Sequence, residues 1–147
     1  MFNLGGYGPQ LLAGTITTIE LSLLSLVVSF LLGLIGASAK LSKNRTARAL
    51  ATLYTTLIRG VPDLVLMLLI FYSLQIWIND LTDWIDNLQN AVDLEFNLDP
   101  FTSGVITLGF IYGAYFTETF RGAFMAVPKG QLEAARAFGM RPFLVFR

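Results

Sequence analysis

Residues 21–39 constrain the fold more than any other part of this sequence, because they form an apolar run without a single charge. As a helix that rises 1.5 Å per residue, the run covers about 28 Å, close to the thickness of a bilayer hydrocarbon core. Its apolar residues are continuous and do not alternate as they do in membrane β-strands. In lipid, the backbone of such a run satisfies its hydrogen bonds as a helix. We therefore predict a transmembrane helix here, extending back to about Leu11.

Two further apolar regions follow, each interrupted by charged residues in its interior. The first run lacks the basic start and the short apolar core of a cleavable signal peptide, so we expect it to remain in the protein. Together the runs predict an all-α integral membrane protein with a single domain over 1–147. Its three predicted transmembrane helices lie at about 11–39, 49–78 and 101–124.

The composition removes most kinds of enzyme from consideration. Only 14% of the residues are charged, against about 25% in a soluble domain. The 147 residues contain no cysteine and no histidine, which excludes thiolate nucleophiles, imidazole bases and metal ligands of either type here. They also contain no G-x-x-x-x-G-K-[ST] phosphate loop. We expect no catalytic residue and no metal site on this chain, a lipid bilayer around it, and no nucleic acid among its partners.

Charged residues are segregated along the chain, although their sum is zero. Basic blocks at 40–48 and 121–147 flank an acidic block at 79–100. Because basic loops stay on the cytoplasmic side, we expect both basic blocks in the cytoplasm, and the N-terminus and the acidic block outside. The apolar spacing of residues 80–92 predicts a short amphipathic helix on the outer membrane surface, with a solvated loop as the alternative.

Besides Glu20, which we expect near the outer interface, three ionisable residues in or near the predicted spans stand out: Arg59, Asp63 and Glu118. A charge within a bilayer costs about 2.5–3.5 kcal/mol on insertion scales, so it usually faces protein or a water-filled cavity. Arg59 and Glu118 fall at similar predicted depths, so we expect them to pair. Asp63 faces either a cavity or a subunit interface. The three are candidates for the lining of a translocation path; the alternative is an ion pair that only fixes helix packing.

The second span contains a helix-breaking sequence at Gly60 and Pro62. Pro62 has no amide hydrogen, so the carbonyl of Ile58 loses its helical partner, and Gly60 loosens the same turn. Interrupted helices are tolerated where they line a cavity, and transporters place them near solute sites. An ordinary proline kink is the alternative.

Small residues recur at helical spacing in the first and third spans. Gly109 and Gly113 form a G-x-x-x-G face, and Gly33 and Ala37 form a similar pair. Small side chains let helix backbones approach closely in a membrane. We therefore predict tight packing of these helices against each other or against helices of a partner.

The tail, residues 127–147, predicts a short helix after the third span. A proline and a glycine break the chain, and residues 132–138 are strong helix formers that end at Gly139. Ala134 and Ala135 keep one side of this helix slim, which suits insertion into a groove of a partner. A surface helix without a partner is the alternative.

The tail also carries a motif of a known family. The pattern Glu133-Ala134-Ala135-x-x-x-Gly139 resembles the EAA loop of ABC-importer permeases. In that family the EAA helix docks in a groove of a separate ATPase and passes its closure to the membrane helices. The resemblance therefore implies that these four residues couple the chain to an ATPase.

Residues 56–72 and 114–131 are similar to the polar amino acid permeases of that family, and residues 54–67 most resemble a permease subunit of the importers for histidine, lysine, arginine and ornithine. The resemblance implies a bacterial inner-membrane subunit that moves polar, above all basic, amino acids into the cytoplasm. The implied partners are a second homologous permease, an ABC ATPase dimer that binds ATP and magnesium, and a substrate-binding protein.

The family pattern continues past Gly139 to an apolar-x-Pro stretch and further spans. This sequence ends at Arg147, before that stretch. The resemblance thus implies a fragment, with three spans and the cytoplasmic coupling helix, of a five-span permease fold.

Three other functions stay open on sequence alone. One is an importer of polar neutral amino acids such as glutamine. A membrane scaffold without transport is the second, and it predicts no effect of substitutions at Glu133 or Gly139. The third is an ion channel or proton-linked carrier, which predicts flux that needs a gradient but no ATP.

Overall fold

The computed structural model describes residues 6–89 and 99–146, and the regular structure in these residues is entirely α-helical, as predicted. Four helices pack together, and two short helices follow them. In chain order the helices are α1 (Gly8–Leu41), α2 (Arg45–Gly60), α3 (Asp63–Gln89), α4 (Pro100–Ala126), α5 (Lys129–Ala137) and α6 (Pro142–Phe146).

Polar residues set the starts of two helices. The Asn44 side chain accepts a hydrogen bond from the Thr46 amide at 3.0 Å and so caps α2. Asp99 caps α4 in the same way, accepting from the Thr102 amide at 3.1 Å. The hydroxyl of Thr102 also donates to this carboxylate, and this hydrogen bond lowers the pKa of Asp99. Each cap satisfies an amide that has no partner inside its helix.

The second apolar region, expected as one interrupted span over 49–78, is built from two helices. α2 ends at Gly60, Val61 is extended with φ −115° and ψ 145°, and α3 begins directly after Pro62. The ring of a proline drives the preceding residue out of the helical region, which explains the conformation of Val61. Residues 61 and 62 therefore separate two helices.

The surface helix expected at residues 80–92 is not a separate element. Residues 80–89 continue α3 without a break, and residues 90–92 lie outside the described residues. Residues 63–89 contain no glycine or proline. Nothing in the sequence therefore ends the helix where its apolar part ends.

Two of the described helices are long and apolar enough to cross a membrane, namely α1 and the part of α3 from Asp63 to Thr82. α2, with 16 residues, covers about 24 Å and is too short. α4, expected as the third span, is long enough to cross a membrane with its 27 residues. It is less apolar than α1, because its buried face is rich in serine, threonine and glycine. Such a face meets other helices and not lipid, so it does not need to be fully apolar.

α1 packs along α4, in the most extensive contact between two helices. Side chains of one helix fill or crowd the space that a Cβ would occupy at glycines of the other helix. Residue numbers rise together along this contact, so α1 and α4 run parallel. The contacts pair Val28 with Gly109, Leu32 with Gly113, Phe116 with Gly33, and Thr117 with Gly36.

Hydroxyl groups line the buried face between α1 and α4. Ser25, Ser29 and Thr117 are buried, and each hydroxyl donates to the carbonyl four residues earlier in its own helix, at 2.7, 2.6 and 2.8 Å. Thr107 Oγ1 is also buried but has no hydrogen-bond partner among the described residues. Since most of these hydroxyls are satisfied within one helix, the two helices can approach without polar contacts between them.

We expect Gly33→Ala to destabilise the protein by about 1–2 kcal/mol. The added methyl group would lie too close to Cβ and the carbonyl carbon of Phe116, and these atoms cannot move away as the end of a flexible side chain can. The cost of this overpacking therefore exceeds the gain in helix propensity. Gly14→Ala is the matched control in the same helix, because nothing lies within 4 Å of its added methyl group. Thermal unfolding in mild detergent compares the two variants, and equal stabilities would contradict the tight α1–α4 contact.

Candidate functional site

One polar cluster forms at the α2–α3 junction, a name we give to residues 59–63. Tyr115 of α4 contacts it with both parts of its side chain. The hydroxyl donates a hydrogen bond to Asp63 Oδ1 at 2.7 Å, and the guanidinium carbon of Arg59 lies 5.4 Å from the ring centroid. The tyrosine thus contacts a cation through its ring face and an anion through its hydroxyl.

Contacts just before the junction hold α2 on α4. The ring of Tyr54 packs on Phe110, with centroids 4.9 Å apart, and its hydroxyl donates to the Phe110 carbonyl at 2.5 Å. One turn later, Ile58 packs into the buried core with Ile111 and Ala114. These contacts fix the end of α2, and so they fix the position of the junction beside α4.

The junction leaves its charges accessible. Arg59 is exposed and Asp63 is half-buried. Among the ion pairs of the described residues, none joins Arg59 to Asp63, although the two are opposite in charge and four residues apart. Because the helix breaks between them, they do not lie one above the other as i, i+4 residues of one helix do. Tyr115 uses one carboxylate oxygen, so the second oxygen and the guanidinium can bind further groups.

Glu118 lies in a second cluster, where the ends of α1 and α4 meet. Its Oε1 accepts from Lys40 Nζ, and its Oε2 accepts from Arg121 Nε at 2.9 Å. The Lys40 and Glu118 side chains are only 9% and 17% exposed. The expected pair between Arg59 and Glu118 is therefore wrong. Parallel packing carries Lys40, and not Arg59, to the level of Glu118.

α5 follows α4 after a short extended linker and ends in a specific turn. It begins three residues before the helix expected from the sequence. At its end Gly139 has φ 72°, its amide donates to the Arg136 carbonyl at 2.9 Å, and the Met140 amide donates to the Ala135 carbonyl at 3.2 Å. This is a Schellman motif, whose left-handed position strongly favours glycine.

The surface of α5 is open to a partner. Glu133 and Ala134 are exposed, Ala135 is half-buried, and among the described helices α5 packs only against α6. Beyond the helix, Phe138 and Phe143 are 85% and 76% exposed. Exposed aromatic side chains beside a slim helix are typical of a protein interface.

Sequence reasoning missed Tyr115 and Lys40 as partners of the charged residues. No spacing pattern singles out Tyr115, because α4 contains several aromatic residues. Lys40 could have been found, because the predicted first and third spans run in the same direction and place Lys40 and Glu118 at their cytoplasmic ends. The described residues contain no group of three or more potential metal ligands among their acidic, histidine and cysteine side chains.

We expect Glu118→Gln to destabilise the protein by about 3 kcal/mol, because Lys40 would be left buried next to Arg121 without a counter-charge. Arg121→Gln should cost less than about 1 kcal/mol, because Arg121 is 38% exposed and its loss leaves Lys40 paired. Chemical unfolding in detergent measures both effects. Equal losses in the two variants would show that the Lys40 contact does not hold α1 on α4.

Comparison with known proteins relates these features to a family. The family model described as binding-protein-dependent transport system inner membrane component matches residues 29–147. The histidine/lysine/arginine/ornithine transport system permease protein HisQ of Salmonella typhimurium is 58% identical over 142 residues, which are 97% of this chain and 60% of that protein. The octopine transport system permease protein OccQ of Rhizobium meliloti is 33% identical over 152 residues, covering 99% of this chain and 60% of that protein.

A solved structure shares the fold. The crystal structure of an amino acid ABC transporter with histidines superposes with a TM-score of 0.71 and 33% identity, over 96% of this chain and 58% of the other. The chain spans about 60% of the length of the curated relatives it matches. With a family match over most of its residues and a relative of this similarity, the chain belongs to the family of binding-protein-dependent transport system inner membrane components.

Proposed function

We propose that this chain is a permease subunit of a binding-protein-dependent ABC importer that carries basic amino acids into the cytoplasm. The observation that carries the proposal is the 58% identity, over 97% of the chain, to a histidine/lysine/arginine/ornithine permease. Identity to the octopine permease is much lower, at 33%. The apolar helices α1 and α3, and the charges gathered where helices meet, fit such a role.

The proposal assigns the ATP chemistry to other subunits. An ABC ATPase dimer would bind ATP and magnesium, a substrate-binding protein would deliver the amino acid from outside, and a second homologous permease would complete the path. The family description names dependence on a binding protein, and these 147 residues hold no phosphate loop. The chain then acts as a transport subunit without a cofactor of its own.

We assign the N-terminus to the outside and the basic blocks at 40–48 and 121–147 to the cytoplasm. The contact between Lys40 and Glu118 supports this assignment, because it brings both basic blocks to one end of the bundle. Basic segments stay on the cytoplasmic side of a membrane. The helix α5 then faces the cytoplasm, where an ATPase would dock.

Coupling to the ATPase is assigned to the EAA residues of α5 and its closing turn. The alanines keep the helix slim enough for a groove, and Gly139 ends it. α5 joins α4 through a short extended linker, so a movement of α5 would pass to α4 and to the junction packed on it. ATP and the loaded binding protein would favour different states of the bundle. The residues assigned to this coupling are Glu133, Ala134, Ala135 and Gly139.

Arg59 and Asp63 are assigned to the translocation path, with Glu118 as a weaker candidate. The charges of the junction are accessible, and their helix is interrupted, a combination that transporters use at solute sites. Glu118 differs because both of its oxygens already bind cations.

Substitutions in the coupling helix test the proposal in the complete transporter. We expect Glu133→Ala and Gly139→Asp to abolish ATP-dependent amino acid uptake by membrane vesicles, while the permease still inserts into the membrane. A residue with a Cβ at the left-handed position of Gly139 costs about 1–2 kcal/mol. Gly130→Ala is the matched control in α5, because its added methyl group meets nothing within 4 Å. Uptake retained in both test variants would contradict the coupling role.

Competition between amino acids tests the substrate class. We expect excess unlabelled histidine, lysine or ornithine to block ATP-dependent uptake of labelled arginine, and excess glutamine to leave it unchanged. Equal inhibition by glutamine would contradict the preference for basic substrates. Uptake that follows a gradient without ATP would replace the importer by a channel or carrier, and the absence of any uptake would favour a scaffold.

A further inference from the structure

The α2–α3 junction presents a cation and an anion that both contact one tyrosine of α4. Building on the proposed function, we propose that Tyr115 positions Arg59 and Asp63 to bind the α-carboxylate and the α-ammonium group of the transported amino acid. Every α-amino acid carries this pair of charges. The site therefore recognises the class of substrate and leaves the choice of side chain to other parts of the transporter.

Tyr115 restrains the carboxylate of Asp63 through a short contact. A hydroxyl that donates to a carboxylate oxygen at 2.7 Å forms a charge-assisted hydrogen bond, which is stronger than a neutral one. Tyr115 stands next to Ala114 and one turn from Ile111, and both of these residues are completely buried. Because this part of α4 is closely packed, the hydrogen bond holds Asp63 at a defined place.

Arg59 is oriented by the ring of the same tyrosine. Its guanidinium carbon lies 5.4 Å from the ring centroid, within the range of a cation–π contact. This contact does not use the N–H donors of the guanidinium. Two of these donors can bind a carboxylate through parallel hydrogen bonds, which is the geometry that an α-carboxylate needs.

The two charges of the junction are separate from each other and therefore available to a ligand. No ion pair of the described residues joins Arg59 to Asp63, whereas Glu118 is bound by two cations. The Asp63 oxygen that does not accept from Tyr115 can accept from an ammonium group. A ligand with adjacent opposite charges complements this arrangement, and a simple cation or anion would match only half of it.

The test measures arginine binding directly, because uptake also depends on the protein that delivers the substrate. The complete transporter, purified without its binding protein, is titrated with labelled arginine and with labelled histidine. We expect Tyr115→Phe to raise both Kd values about tenfold and by the same factor, because a hydrogen bond to a charged group is lost while the ring remains. The variant should remain folded, with the helix content of the unmodified transporter, and the equal factor for the two ligands separates this effect from a general loss of stability.

Tyr112→Phe is the matched control. Tyr112 lies on the same helix with its ring 6.0 Å from that of Tyr115, and its hydroxyl has no hydrogen bond among the described residues. We expect its Kd values to stay unchanged. In an Asp63→Asn background, Tyr115→Phe should add no further loss, because the hydroxyl acts through that carboxylate.

Several results would overturn the inference: unchanged Kd values in Tyr115→Phe, an equal change in Tyr112→Phe, additive losses in the double variant, or a change for arginine but not for histidine. Absence of arginine binding by the unmodified transporter would overturn it as well. ATP-dependent uptake by the unmodified transporter tests the proposed function separately. Uptake without an effect of Tyr115→Phe on binding therefore refutes this inference alone.

Discussion

The parallel contact between α1 and α4 supports the rest of the structure. Phe116 and Thr117 fill the space at Gly33 and Gly36, so the two backbones come close over several turns. The buried hydroxyls bond within their own helices, which keeps this contact free of unsatisfied polar groups at most positions. This packing brings the end of α1 to the end of α4, and both basic blocks therefore share one end of the bundle.

α4 connects the packing of the bundle to its charged residues and to its tail. One face of the helix is buried against α1, and Ile111 and Ala114 receive the end of α2. Tyr115, the next residue, contacts both charges of the α2–α3 junction. The same helix then continues to the linker of α5. A displacement of α5 would therefore reach the junction through one continuous helix of 27 residues.

Features that depend on local chemistry could be predicted from the sequence. Continuous apolar runs indicated helices. The end of α2 at Gly60 was also indicated, because glycine and proline change the conformation and hydrogen bonding of the backbone at their own positions. Features that depend on which helices are neighbours could not be predicted in this way. The Arg59–Glu118 pair was expected from depth alone, and depth does not say which helices are neighbours. No spacing rule marks Tyr115, since its partner Asp63 lies on another helix.

Cross-linking tests most directly the central claim that α5 docks on an ATPase at the end of the bundle that carries both basic blocks. The 147 residues contain no cysteine, so Ala134→Cys introduces a single thiol into them. Tyr7→Cys is the control, because Tyr7 is exposed at the start of α1, at the opposite end of the bundle. In inside-out vesicles of the complete transporter, we predict a cross-link to the ATPase from Ala134→Cys and none from Tyr7→Cys. A cross-link from neither variant, or labelling of Ala134→Cys by an impermeant reagent added to right-side-out vesicles, would contradict the claim.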